Sequence, residues 1–174
     1  MSPAKQASVA HAPRDAKRPK PASDPLQDAG DSLLRAALEG CRQHERVAHL
    51  LERGCADEEL REAAALCDLS DCHLAARTKA YEALAAGGRG KTPDEFWRAA
   101  NTLWHASREY ARRHGSCDKL TTRLNKHSSD KLGELALEYE LEASALLALR
   151  QAIAVYRRLQ PEAEWPGPER RLKG

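Results

Sequence analysis

The sequence predicts an all-α protein, an antiparallel four-helix bundle, and three observations carry that prediction. Alanine and leucine dominate the apolar residues, while valine, isoleucine and phenylalanine are confined to Val9, Val47, Val155, Ile153 and Phe96. Sheets favour β-branched and aromatic side chains, so little is left from which to build strands. Ser128 to Leu159 is a long proline-free run with leucines at helical spacing. Caps and breakers then divide the rest of the chain into further runs of the same kind. A bundle domain over residues 25–160 follows, with a basic, Pro/Ala-rich arm at 1–24 and a tail at 161–174.

The first helix starts at a clear signal. Asp24 is a good N-cap, Pro25 suits the first helical position, and Gln27 completes a pattern like a capping box. The helix should end at Arg53, because Gly54 can take the left-handed conformation that closes a helix. Leu34, Ala37, Cys41, His44, Ala48 and Leu51 recur every three or four residues and form its inner stripe.

The second helix spans about 56–86. Leu60, Ala63, Cys67, Ser70, Leu74, Tyr81 and Leu84 make its main seam, and Leu66, Leu69, His73, Ala76 and Ala80 make a second stripe beside it. Two stripes demand neighbours on two sides, as in a bundle. Gly87, Gly88 and Gly90 end the helix.

Thr92-Pro93-Asp94-Glu95 opens the third helix by the same capping logic. Phe96, Ala100, Leu103, Ser107 and Tyr110 face one way, with Trp97 and Trp104 as core fillers beside them. Gly115 reads as its stop. Ser116 then caps a short helix carrying Leu120 and Leu124, and the polar stretch from Asn125 to Asp130 breaks it. The last helix has its seam at Leu132, Leu135, Tyr139, Glu142, Leu146, Leu149, Ile153 and Tyr156. A flanking stripe runs through Leu137, Leu141, Ala148, Ala152, Val155 and Leu159, and Pro161 ends the helix. Coiled-coil-like packing of four long helices, plus a short one before the last, is the expected architecture.

Composition excludes several function classes. The formal net charge is +2, of which residues 1–24 hold +3, so the helical body has no basic excess with which to grip nucleic acid. The basic arm, with Lys17-Arg18-Pro19-Lys20, and the cationic end of the third helix remain as the weakest reading, a nucleic-acid contact. No apolar run is long enough for a bilayer, and no signal-like core follows Met1. Five cysteines, an odd number, argue for reduced thiols, and a cytoplasmic protein is the expectation.

Reaction motifs are missing. The Glu-x-x-His pairs that hold di-iron in bundles do not occur. Gly87-Gly88-Arg89-Gly90-Lys91 lacks the strand and the GK[ST] of a phosphate loop. Cys72 and His73 are adjacent, and adjacent helical positions point about 100° apart, so they make no dyad.

Two constellations stand out. Cys41 and His44 lie three apart on the inner stripe of the first helix, and an antiparallel hairpin sets Cys67 level with them. Thiolate and imidazole suit a transition metal or haem iron. Glu142 interrupts the last seam with a charge, and Arg77 on the second helix is its expected partner in a structural polar pair. With no reaction motif and two surplus stripes, the leading functional expectation is non-enzymatic: protein–protein contact or self-association. Metal or haem binding through Cys41, His44 and Cys67 is the alternative, and no cofactor is demanded by the sequence.

Overall fold

A computed structural model describes residues 24–124 and 132–159, and they form four helices without a strand: α1 (Pro25–Arg53), α2 (Asp57–Ala85), α3 (Asp94–Leu124) and α4 (Leu132–Leu159). The expected bundle is found. The arm at 1–23, the polar stretch at 125–131 and the tail from 160 lie outside the described residues.

Local chemistry fixes the ends. Asp24 Oδ1 accepts the Leu26 amide at 3.0 Å, capping α1 with Pro25 in its first turn. Its other oxygen accepts the Thr92 hydroxyl at 2.8 Å, so one carboxylate ties the start of α1 to the start of α3. Gly54 closes α1 at φ 66°, a left-handed conformation that costs glycine nothing. Ala56 gives α2 no side-chain cap. Asp57, Glu58 and Glu59 in its first turn compensate by meeting the positive end of the helix dipole.

The hairpins α1/α2 and α3/α4 pack most closely, α2/α3 and α1/α4 close the bundle, and α1 touches α3 across its diagonal. Among the described residues α2 and α4 make no contact. The core runs through Leu33, Leu34, Ala37, Leu74, Tyr81, Leu103, Tyr110, Leu149 and Tyr156. No helix among the described residues is long and apolar enough to cross a membrane.

Four expectations change. The third helix does not stop at Gly115: α3 runs unbroken to Leu124, so the separate short helix is its last turns. Ser116, expected as a cap, instead donates its hydroxyl to the Arg112 carbonyl at 3.1 Å, inside a continuing helix. The inner stripe of α1 drifts. Leu50 is buried where Leu51 was expected, and Leu51 and Ala48 face outward, because 3.6 residues per turn do not hold one face in strict step. The main seams of α2 and α4 also stop short, at opposite ends of the bundle: Leu84 near the end of α2 and Leu132 and Tyr139 near the start of α4 are exposed. The second stripes of α2 and α4 find no cover for Leu66, Leu69, Leu137 and Val155.

Candidate metal centre

Halfway along the bundle the core changes character. Each helix turns a polar side chain inward at one level: His44 from α1, Cys67 and Asp71 from α2, Tyr110, His114 and Cys117 from α3, and Glu142 from α4. Helical spacing explains the grouping. Cys67 and Asp71 are four apart, as are Tyr110 and His114, with Cys117 three further on, so each set shares a face.

Asp71 is the centre. Its side chain is only 8% exposed. His44 Nε2 lies 3.2 Å from Oδ2, His114 Nε2 3.5 Å from the same oxygen, and the Cys67 sulfur 4.0 Å from it. The Tyr110 hydroxyl reaches both Asp71 oxygens at 3.2 and 3.3 Å and also contacts His44 Nε2. Among the described residues, the ligand atoms of His44, Cys67 and Asp71 all fall within 4.8 Å of one another, close enough for small side-chain shifts to bring all three onto one ion. Four tetrahedral zinc ligands of these types stand ~3.3–3.6 Å apart, given their usual bond lengths. The separations from Asp71 bracket that range.

Behind His114 stands a second carboxylate. Glu142 Oε1 lies 2.7 Å from His114 Nδ1, so that nitrogen carries a proton and donates it. In the neutral ring Nε2 is then a bare lone pair, and it faces the Asp71 carboxylate. Two acceptors opposed in this way need a cation between them, either the second proton of an imidazolium or a metal. A carboxylate holding the far nitrogen of a histidine is the usual support behind a metal-binding imidazole.

The electrostatics follow from burial and these contacts. The hydrogen bond to Glu142 raises the pKa of His114 above its ordinary value, against the opposing effect of burial. Burial works against the Glu142 carboxylate, yet hydrogen bonds from His114 and Cys117 outweigh it and hold its pKa below the usual range. Burial and the neighbouring Asp71 push the Cys67 thiol up to about 12. Burial and the Glu142 carboxylate push Cys117 up to about 12 as well. Tyr110 is raised for the same reasons, burial first and the Asp71 charge second. These thiols are therefore protonated unless a cation draws the proton off, which a coordinated metal does.

Two clefts lead inward. One of about 350 Å³ between α2 and α3 is lined by Asp71, Tyr110 and His114, with Asp68 and Asp118 giving its rim negative charge. Another of about 440 Å³ between α1 and α4 reaches His44 past Glu45 and Arg150.

His44 and Cys67 thus come together as the hairpin register predicts, but Cys41 stands apart from them. Position 41 is about 60° around the helix from 44. Its thiol is buried beside Arg150, which opposes the upward effect of burial on its pKa. Asp71 takes the third place. The pairing of Glu142 with Arg77 is also corrected: Arg77 is exposed on α2, and α2 and α4 occupy diagonal corners that do not meet. Glu142 finds His114 on α3, its hairpin partner.

Sequence reasoning missed Asp71, Tyr110 and His114. Asp71 sits one turn beyond Cys67 on the same seam, a signal that was present. In sequence His114 reads, with Arg112 and Arg113, as one of the cations at the end of the third helix, and the expected stop at Gly115 hides its inward face. The cations themselves are paired: Arg112 and Arg113 hold Glu109, and Arg113 also reaches Glu138 at 3.2 Å. Trp97 and Trp104 pack half-buried against the core. All five cysteines are free, and Cys72 is exposed. No protein-family model, curated protein or solved structure matches this chain.

Proposed function

We propose that this protein is a metal-binding helical bundle that holds one divalent transition-metal ion of the zinc class inside the bundle. His44 Nε2, the Cys67 thiolate and an Asp71 oxygen are the three ligands already gathered, and His114 Nε2, 3.5 Å from Asp71 but outside that group, becomes the fourth by moving toward the ion. The convergence of these atoms on Asp71, with Glu142 set behind His114, is the observation that carries the reading. A mixed set of two imidazoles, one thiolate and one carboxylate suits zinc and its substitute cobalt(II) better than magnesium or calcium, which take oxygen ligands. The acidic cleft between α2 and α3 gives the ion a way in. Once His114 joins, the shell has four protein ligands and is closed, so the role is to brace α1, α2 and α3, with α4 reached through Glu142, and hold the ion rather than to activate water.

Titration of the reduced full-length protein with cobalt(II) tests this. One equivalent should bind and give a visible spectrum with a thiolate charge-transfer band in the near ultraviolet. Cys67→Ser should abolish that band, and Cys41→Ser should keep it. Failure to take up one equivalent of zinc or cobalt(II) at micromolar concentration would falsify the reading.

A further inference from the structure

Along α4 every residue at 133, 136, 137, 140, 143, 144, 147, 148, 151, 154, 155 and 158 is exposed, and these positions wind down one side of the helix. That side is almost wholly apolar or small. Leu147 is 57% exposed at its middle and Leu137 and Val155 flank it, with alanines between. The opposite side of α4 already fills the core through Leu149, Ile153 and Tyr156. α4 thus carries apolar stripes on two opposite sides, and the single chain covers only one of them.

The face carries just two charges, Glu140 and Arg158, at nearly the same azimuth and about five turns apart. Neither pairs with a described residue. Their signs are opposite and they bracket Leu147. This arrangement is self-complementary under one operation: a two-fold axis near Ala148 that lays α4 antiparallel on a second α4. Each Glu140 then meets Arg158 of the other copy, and Leu147 and Val155 of both copies become buried. The alanines allow the helix axes to approach to about 8 Å, the close end of helix packing. Closed two-fold pairing is also the commonest symmetry of protein assemblies.

We infer that this face of α4 is the interface of a homodimer, two bundles joined antiparallel through Leu147, with a Glu140–Arg158 pair at each end. The contact is independent of the metal centre, whose groups point to the other side of α4.

Sedimentation velocity on the full chain, in reductant and chelator from 1 to 500 µM, tests it. The reductant removes any disulfide through the exposed Cys72, and the chelator removes any metal-linked association. A concentration-dependent doubling of mass is expected. Leu147→Glu should give a monomer with an unchanged thermal transition, since the side chain lies outside the core. Glu140→Arg alone should weaken the dimer at least tenfold, and Glu140→Arg with Arg158→Glu should restore it. A monomer at every concentration overturns the inference. So does a dimer that survives Leu147→Glu, or one that Leu69→Glu on α2 dissociates instead.

Discussion

The two halves of this core follow different rules. In the half built from the start of α1 and the end of α4, the layers are apolar, and the two buried tyrosine hydroxyls each find one partner. Tyr156 donates to Asp31 at 2.8 Å and Tyr81 to Asn101 at 3.2 Å. In the other half, contacts converge. Four side chains from three helices crowd one buried carboxylate, and a second carboxylate fixes one of the histidines. A buried polar network is more costly to leave partly satisfied than an apolar layer of the same volume. The contrast separates what holds the bundle together from what the bundle holds.

The sharpest break between the halves comes from one substitution in each. Leu103 is wholly buried in the apolar half, and Leu103→Ala should lower stability by about 3 kcal/mol through lost burial and a residual cavity. Zinc affinity of the folded variant should stay within a factor of three of the parent. Asp71→Ala should reverse the pattern, weakening zinc binding at least a hundredfold, or about 2.7 kcal/mol. Chemical denaturation with chelator, run beside zinc calorimetry, reads both. If Leu103→Ala weakens zinc as much as Asp71→Ala does, the halves are one cooperative unit and the contrast fails.

Glu142 sharpens the comparison because it touches His114 rather than the ion. Glu142→Gln keeps the shape and an acceptor but loses the charge. Loss of a supporting carboxylate typically costs 10–100-fold in metal affinity, and that range is expected here. The cobalt(II) band of Cys67 should persist, which distinguishes a positioning role from a ligand role. An unchanged affinity would remove Glu142 from the site.

In the apolar half the tightest feature is Gly30. A methyl group there would come within 2.6 Å of the Tyr156 hydroxyl, which the bond to Asp31 holds in place. Glycine within a helix is intrinsically unfavourable by about 1 kcal/mol relative to alanine, so only this contact keeps it advantageous. Gly30→Ala should therefore destabilise by about 1–2 kcal/mol in the parent. In a Tyr156→Phe background the sign should invert, and the same change should stabilise by about 0.5 kcal/mol. A double-mutant cycle by thermal melting gives the answer, and equal effects in both backgrounds would show that the clash is not what selects glycine.

Most of the fold was legible because helix caps and apolar periods are local. Asp24, Pro25 and Gly54 mark α1 without reference to anything distant, and the Leu74 and Tyr81 seam identifies the inner side of α2. The site was legible only in part because it depends on which corners of the bundle touch. Cys67 could be set level with His44 from the length of one hairpin. Arg77 and Glu142 could not be kept apart without knowing that α2 and α4 sit on a diagonal. His114 carried two meanings in sequence, a cation at a helix end or an inward ligand, and only the continuation of α3 through Gly115 chooses between them.

Ser107 tests the boundary between the halves with the smallest effect. It lies one turn from Tyr110, its side chain is wholly buried, and its hydroxyl has no partner among the described residues. A serine inside a helix commonly donates to the carbonyl four residues back, as Thr78 does to Leu74 at 2.8 Å. Ser107 does not. If it belongs to the apolar half, its hydroxyl is an uncompensated buried dipole, and Ser107→Ala should raise stability by about 1 kcal/mol without changing zinc affinity. If it belongs to the polar half, supporting Tyr110 from one turn away, the same change should leave stability flat and weaken zinc binding. Denaturation and calorimetry on this single variant decide on which side of Ser107 the packing core ends.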